Sequence, residues 1–119
     1  MSTRDIIQRY LDGLNKKEGW ESLISEQMTF NGPGTRSKGK AAYVEAMKAL
    51  LRAVKSAQVN RLIIEADSAC VISHYELVSP KGSRAGFDIA EIFVIKDEKI
   101  ESSSVYFHIA AFRIFLAEG

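Results

Sequence analysis

Four β-rich segments occupy the second half of the chain and are separated by tight-turn signals. The segments span residues 59–66, 69–78, 85–96 and 99–108. Asp67-Ser68, the Pro80 to Ser83 stretch and Asp97-Glu98 supply the breaks, and connections this short join antiparallel neighbours. The second half of the chain therefore predicts an antiparallel sheet made of consecutive hairpins.

The first half is patterned for helices. Ser2 and Asp5 match a capping box, and the apolar residues that follow share one helical face: Ile6, Ile7, Tyr10, Leu11 and Leu14. Residues 20–24 predict a short second helix, residues 28–30 a brief strand, and the segment after Gly39 a third helix. Three helices ahead of hairpin-linked strands predict the α+β class, with the helices packed on one face of the sheet.

Composition narrows the class of protein. The 119 residues predict one domain, residues 1–119, and the net charge of +1 argues against a nucleic-acid partner. A single cysteine excludes an internal disulfide and a cysteine-rich zinc site. No segment has the pattern of a signal peptide or a membrane span, so no membrane partner and a cytoplasmic location are expected.

The last eleven residues carry an unusual number of large apolar side chains. These are Ile109, Phe112, Ile114, Phe115 and Leu116. A terminus of this composition is expected to dock against the domain or against a partner subunit.

Glu91 interrupts the apolar strand segment 89–95. A carboxylate in such a strand is costly unless it is paired, hydrogen-bonded or protonated. In a purely structural role, Glu91 would face solvent or pair with Arg61 or Arg84. In a functional role, it would line a cavity. Strand alternation places it on the same face as Ile89 and Phe93.

Three sequence stretches resemble the nuclear transport factor 2-like superfamily, which includes ketosteroid isomerase and the SnoaL-like polyketide cyclases. The stretches are Gln8-Arg9-Tyr10 with Leu14-Asn15, then Phe30 to Gly34 with Gly39, then Glu91 to Ile100. The resemblance covers nearly the whole chain. It implies a cone-shaped, cystatin-like fold with three N-terminal helices packed on a curved antiparallel sheet, enclosing an apolar pocket.

The resemblance also implies candidate catalytic residues. Ketosteroid isomerase uses an aspartate base with an oxyanion hole made by a tyrosine and a protonated acid. Tyr10 corresponds to that tyrosine and Glu91 to the protonated acid, whereas the base position falls at Gly32, which cannot take a proton. His108 falls where many SnoaL-like members have an aspartate, so it is the candidate replacement base. A core tyrosine and a solvent-facing histidine are the alternatives for Tyr10 and His108.

The strands and helices supply candidate pocket residues. The expected ligand-binding set is Trp20, Phe30, Tyr75, Phe93, Ser103 and Phe107. Alternation on the 69–78 strand puts Ser73 and Tyr75 on the pocket face and His74 with Glu76 on the convex face. Ser103 could line the pocket, or the serine run 102–104 could belong to a polar interface.

We therefore expect a SnoaL-like domain that binds a small, mostly apolar molecule in its cone, with isomerase- or cyclase-type acid–base chemistry as one possibility. A homodimer formed through the convex sheet face is also expected. No metal or other cofactor is predicted, since metal-ligand spacing and a phosphate loop are both missing from the sequence. The alternative is a non-catalytic dimeric interaction or structural domain whose cone is filled by its own side chains.

Overall fold

The computed structural model describes residues 1–118, which form helices at both ends of the chain and six strands. In chain order the elements are α1 (Thr3–Lys16), a 3-10 turn (Glu21–Leu23), β1 (Ile24–Gly32), β2 (Thr35–Lys38), α2 (Lys40–Ala53), β3 (Val54–Glu65), β4 (Ser68–Val78), β5 (Arg84–Lys96), β6 (Lys99–Tyr106) and α3 (Ile109–Glu118). No helix within these residues is long and apolar enough to cross a membrane.

All six strands belong to one curved sheet, in the order β2-β1-β6-β5-β4-β3. Neighbouring strands are antiparallel except β1 and β6, which run parallel. The predicted α+β class is confirmed. The turn predicted at Asp97-Glu98 is confirmed as well, since these residues join β5 to β6 with the positive φ angles of a type I′ turn. The turn predicted at Asp67-Ser68 lies one residue earlier, at Ala66 and Asp67, because Ser68 already pairs within β4.

The prediction of three N-terminal helices is corrected by the structure. Only α1 precedes the first strand, and residues 21–23 form a single 3-10 turn. The segment with helical spacing, Trp20 to Ile24, is too short to form a stable helix. Strand pairing takes over at Ile24, which lies opposite Ile100 of β6. The second helix, α2, follows two strands, and the third lies at the C-terminus.

The capping box predicted at the start of α1 is confirmed. The Ser2 hydroxyl accepts a hydrogen bond from the Asp5 backbone N–H, and the Asp5 carboxylate accepts one from the Ser2 backbone N–H. Lys17 ends the helix in the left-handed conformation. The buried face of α1 covers the sheet with Ile6, Ile7 and Tyr10.

Strand alternation defines an inner and an outer face of the sheet. On β4, Val71, Ser73, Tyr75 and Leu77 are buried, and the even-numbered residues between them are more exposed. The predicted placement of His74 and Glu76 opposite the pocket face is confirmed. The inner face is the one covered by the helices, and β5 contributes Phe93 and Ile95 to it.

An ionic cluster joins β4 to β5 on the outer face. The Nε2 atom of His74 lies 2.6 Å from Oε1 of Glu76, and its Nδ1 atom lies 2.8 Å from Oδ1 of Asp88. Gly86 makes room for the ring, because a Cβ on Gly86 would lie 2.9 Å from two atoms of the imidazole. Hydrogen bonds to Asp88 and then Glu76 raise the pKa of His74 above its usual 6.5, since a ring held by two carboxylates favours the doubly protonated form.

The His74 cluster predicts a pH-dependent contribution to stability. The folded-state pKa lies above the unfolded value, so the stabilisation is fully present below about pH 6.5 and is lost as pH rises through the raised pKa. We expect His74→Gln to lower the free energy of unfolding more at about pH 5.5 than at about pH 9. Urea unfolding at the two pH values measures this. An equal loss at both would contradict the charged form of His74.

Gly86→Ala serves as a second variant for the same cluster. Its added methyl group should displace the His74 ring and reproduce the pH dependence of His74→Gln without removing the histidine. The control is Ala85→Gly, because Ala85 lies on the opposite face of the same strand, β5.

Candidate functional site

A cavity of about 150 Å³ lies between the inner face of the sheet, α2 and α3. Its wall is mostly apolar and draws on residues from seven elements and the segment after β6: Phe30, Gly32, Thr35, Met47, Leu50, Tyr75, Leu77, Phe87, Ile89, Glu91, Val105, Phe107 and Phe112. Glu91 contributes the only carboxyl group among these residues. An apolar cavity with one acid in its wall can accommodate a small molecule and orient it through that acid.

Glu91 reaches the cavity from β5, where Ile89 and Phe93 flank it on the inner face. It lines this cavity, and no salt bridge to it is formed within residues 1–118. Burial therefore dominates and raises the pKa of the Glu91 carboxyl from 4.5 to about 7, while hydrogen bonding by Tyr75 and Ser103 opposes the rise. The group is thus balanced between its acid and carboxylate forms near neutral pH.

Ser103 and Tyr75 are the polar neighbours of Glu91. Burial and then the charge of Glu91 raise the pKa of Tyr75, which keeps its hydroxyl protonated and able to donate. The Ser103 side chain is completely buried, and its Oγ atom lacks a hydrogen-bond partner of normal geometry in the described chain. Two hydroxyl groups therefore lie next to the acid, that of Tyr75 in the cavity wall and that of Ser103 outside it.

Tyr10 lies in the helix–sheet core and does not line the cavity. Its hydroxyl is 2.5 Å from the hydroxyl of Tyr43 on α2, and its ring makes edge contacts with Trp20 and Phe93. Burial, followed by the charges of neighbouring groups that include Glu91, raises the pKa of both tyrosines. The Tyr10–Tyr43 pair thus stays neutral, and one hydroxyl donates to the other.

His108 lies outside the cavity wall, at the start of α3. Its Nδ1 atom accepts a hydrogen bond of 3.0 Å from the backbone N–H of Ala111, and its carbonyl accepts one from Phe112. The side chain is exposed and caps the helix. The sequence indicated His108 as a candidate site residue, but it did not indicate that the side chain caps α3.

Helix α3 closes one side of the cavity, which confirms the predicted docking of the C-terminal segment on the domain. The Phe112 ring stacks edge-on against Phe87 and Phe107, and Phe115 contacts Phe87 as well. A guanidinium nitrogen of Arg113 lies 2.7 Å from where a Cβ on Gly34 would be. The helix therefore reaches from the sheet to the β1–β2 turn, where Gly34 has φ +73°.

Gly32, the residue at the base position implied by the resemblance, lies in the cavity wall. A Cβ at this position would lie 3.2 Å from the Phe30 ring and 3.3 Å from Cγ2 of Thr35. Even a small side chain at Gly32 would require these neighbours to shift. The space next to the backbone is therefore occupied by Phe30 and Thr35.

The structure brings together four of the nine residues that the sequence indicated as the site. Phe30, Tyr75, Glu91 and Phe107 line the cavity, whereas Ser103 lies beside Glu91. Trp20 and Phe93 pack in the core with Tyr10. The sequence analysis missed Phe87 and Phe112; alternation from Glu91 would have indicated Phe87, but only the fold of α3 brings Phe112 to the cavity.

The grouping of possible metal ligands can be described for the same residues. Within residues 1–118, no three histidine, cysteine, aspartate or glutamate residues are grouped so that they could hold a metal ion. Both ring nitrogens of His74 are already bonded to carboxylates.

A curved sheet that encloses a small cavity under flanking helices defines a class of α+β proteins with a pocket in the concave face. Family comparison makes the assignment specific: residues 7–103 match the SnoaL-like domain, and the chain belongs to this family within the nuclear transport factor 2-like superfamily. No curated protein sequence matches the chain.

Solved structures agree in fold at low sequence identity. An NTF2-like protein of unknown function from Cytophaga hutchinsonii has a TM-score of 0.81 at 22% identity, over 95% of this chain and 96% of that one. A proposed SnoaL-like polyketide cyclase from Mesorhizobium loti has a TM-score of 0.75 at 16% identity, over 89% of this chain and 99% of that one. An LEH-like epoxide hydrolase from M. tuberculosis has a TM-score of 0.79 at 14% identity, over 98% of this chain and 90% of that one.

The raised pKa of Glu91 predicts that this residue destabilises the fold as pH rises. Its folded-state pKa of about 7 exceeds the unfolded value of 4.5, so stability is highest below about pH 4.5 and falls as pH rises through about 7. At about 1.4 kcal/mol per unit, the loss is at most about 3 kcal/mol. We expect Glu91→Gln to be more stable than wild type at pH 8, with little difference near pH 4.5.

Urea unfolding of wild type and Glu91→Gln at both pH values tests this expectation. Glu45→Gln, at an exposed position on α2, is the control and should leave the pH profile unchanged. A Glu91→Gln profile that runs parallel to wild type would contradict a buried, desolvated carboxyl.

Proposed function

We propose that this protein binds a small, mostly apolar molecule in the cavity and orients it through the carboxyl of Glu91. The single observation that carries the proposal is this acid at the wall of an otherwise apolar cavity. Burying a carboxyl costs stability, and no salt bridge within residues 1–118 offsets that cost. A cost of this kind is the pattern of a site maintained for binding rather than for stability.

The proposal extends to acid–base chemistry of the isomerase or cyclase type. A carboxyl with a pKa of about 7 can give or take a proton near neutral pH. Tyr75 would donate a hydrogen bond to an oxygen that gains negative charge, because its hydroxyl remains protonated beside Glu91. Tyr10 would act by positioning, since its hydroxyl is occupied by Tyr43. The structural neighbours described as a polyketide cyclase and an epoxide hydrolase support small-molecule chemistry on this fold.

Filling the cavity should abolish ligand binding. Val105 lines the cavity, and Val105→Phe places a ring into the space that a ligand would use. For a panel of cyclic ketones and aromatic polyketides, we expect wild type to show a ligand-induced rise in melting temperature and Val105→Phe to show none. A ligand at about 100 times its Kd adds about 2.7 kcal/mol of stability.

Val59→Phe is the matched control, because Val59 is exposed on β3 and does not line the cavity. Circular dichroism would establish that both variants fold, since overpacking alone costs about 1–3 kcal/mol. The absence of any shift in wild type, or an equal shift in Glu91→Ala, would contradict the proposal.

The outer face of the sheet favours a second proposal, that two copies associate through it. Its outer apolar patch consists of Ile63, Ile72, Ile92, Val94 and Tyr106, each at least 36% exposed. Strand pairing brings these residues into neighbouring rows, because Ile63 and Ile92 both lie opposite Cys70, and Ile72 and Tyr106 both lie opposite Ala90. An exposed apolar surface of this kind is typical of a protein interface. This homodimer is compatible with the ligand proposal and also with a purely structural role.

Charge placed in the outer apolar patch should prevent association. We expect wild type to sediment as a dimer and Ile72→Lys/Ile92→Lys to sediment as a monomer, because buried unpaired ammonium groups are strongly unfavourable. Ile114→Lys, at an exposed apolar position on α3, is the control. A monomeric wild type would contradict the proposal, and a dimer lost only in Ile114→Lys would place the contact on α3.

A further inference from the structure

Arg113 lies at the edge of the cavity, where α3 approaches the β1–β2 turn. The two residues that flank this turn, Gly32 and Thr35, both line the cavity, and so does Phe112, the residue before Arg113. A guanidinium nitrogen of Arg113 lies 2.7 Å from the position that a Cβ on Gly34 would take. The guanidinium therefore lies over the turn, beside the cavity wall but outside it.

The Arg113 guanidinium is available to an anion. No carboxylate among residues 1–117 forms a salt bridge with it, and the side chain is exposed to solvent. An arginine side chain carries N–H donors and no acceptor, and its planar shape matches the two oxygens of a carboxylate. An anionic group that enters the edge of the cavity from solvent can therefore bind to Arg113.

The two chain segments at this edge contain basic residues and no acidic ones. Residues 27–44, which include the β1–β2 turn and β2, contain three basic residues and no aspartate or glutamate. Residues 102–117, which include most of α3, contain Arg113 and no aspartate or glutamate. The whole chain has a net charge of only +1. Charge is therefore distributed unevenly, and the edge of the cavity favours the approach of an anion.

The other basic residues of these segments do not reach the cavity. Lys40 forms a salt bridge of 3.8 Å with an acid on β1. Arg36 and Lys38 alternate along β2 with Thr35, which lines the cavity, so their side chains lie on the opposite face of the strand. They contribute to the local charge without contacting a ligand. Arg113 is therefore the cation that an anionic group at the edge would bind.

Glu91 is far enough from this edge for an anion to bind there. Asn31, near the end of β1, lies opposite Ser104 of β6, and the next β6 residue, Val105, lies opposite Glu91. The β1–β2 turn and Glu91 are thus separated by two strand spacings, roughly 10 Å. Charges at this separation in contact with solvent are largely screened at physiological ionic strength.

The cavity limits the size of the apolar part of the ligand. An apolar cavity of about 150 Å³ accommodates a molecule the size of benzene, and the volume here is about 150 Å³. The described residues that form the wall include no lysine, arginine or histidine. A carboxylate drawn inside would therefore lose its water without gaining a cation. The anionic group must remain at the edge, joined to the apolar part by a short tether.

We propose that the ligand is a small apolar monocarboxylate, whose apolar part fills the cavity and whose carboxylate is bound by Arg113 at the edge. This inference rests on the proposed function and specifies the substrate class of the same site. One guanidinium matches one negative charge, so the site favours a carboxylate over the dianion of a phosphate ester.

Recognition of the charge is tested by calorimetric titration with 3-phenylpropanoate and its neutral amide, 3-phenylpropanamide. We expect wild type to bind the carboxylate more tightly than the amide. Arg113→Met should weaken carboxylate binding roughly fivefold, the upper range for an exposed ion pair, and leave amide binding unchanged. Added salt should weaken only carboxylate binding, because it screens this pair.

Arg52→Met is the matched control for the loss of one positive charge. Arg52 is an exposed arginine on α2 that does not line the cavity, so this variant should bind both probes as wild type does. Equal affinity of wild type for the two probes would overturn the inference. An equal effect of Arg113→Met and Arg52→Met on carboxylate binding would also overturn it, as would tighter binding of phenyl phosphate than of 3-phenylpropanoate.

Gly34→Ala tests the position of the guanidinium without removing its charge. The added methyl group would overlap with the Arg113 side chain, so we expect the same selective loss of carboxylate affinity. Gly82→Ala is the matched control, because Gly82 also has a positive φ, but a Cβ there would have no neighbour within 4 Å. Carboxylate binding that is unchanged in Gly34→Ala, or lost equally in Gly82→Ala, would contradict the proposed contact.

The two levels of proposal fail differently. If neither probe binds wild type, and the broader apolar panel also gives no shift in melting temperature, the proposed function fails. If the amide binds as tightly as the carboxylate, and Val105→Phe abolishes the binding of both, the cavity remains the binding site and only the carboxylate assignment is overturned.

Discussion

The pairing of β4 with β5 is the constraint on which the site depends. It runs without a register shift from Ser68 opposite Val94 to Val78 opposite Arg84. Because side chains alternate across a sheet, this register puts Tyr75 and Glu91 on the inner face and His74 with Asp88 on the outer one. A slip of one residue would move Glu91 to solvent and the histidine cluster into the core, and the desolvation of that charged cluster would oppose it.

The β4–β5 register determines the electrostatic environment of the cavity, because it places Glu91 on the inner face. Glu91 is held among apolar and aromatic side chains, so burial rather than any neighbouring charge sets its pKa near 7. The packing of α1 against α2 pairs the Tyr10 and Tyr43 hydroxyls away from the cavity. Glu91, Tyr75 and Thr35 then supply the polar side-chain groups of the cavity wall. The proposed binding and acid–base chemistry both depend on this one arrangement.

Much of the fold could be predicted from local signals in the sequence. The capping box of α1, the β4 alternation and the Asp97-Glu98 turn involve neighbours in the chain, and each is present as predicted. The second helix around Trp20 could not be predicted correctly, because pairing of Ile24 with Ile100 involves residues distant in sequence. The site was predictable in part: Glu91 and Tyr75 follow from alternation, whereas the partner of Tyr10 depends on how α2 packs against α1.

The sequence by itself determined which residues share a face on each strand and that Glu91 shares the face of Ile89 and Phe93, since periodicity is a local property. Only the tertiary structure decided the size and boundary of the cavity. Phe112 closes it because α3 folds back onto Phe87 and Phe107, and His108 leaves it because its ring caps that helix. These outcomes depend on packing between segments far apart in the chain, where the burial of aromatic surface outweighs any local pattern.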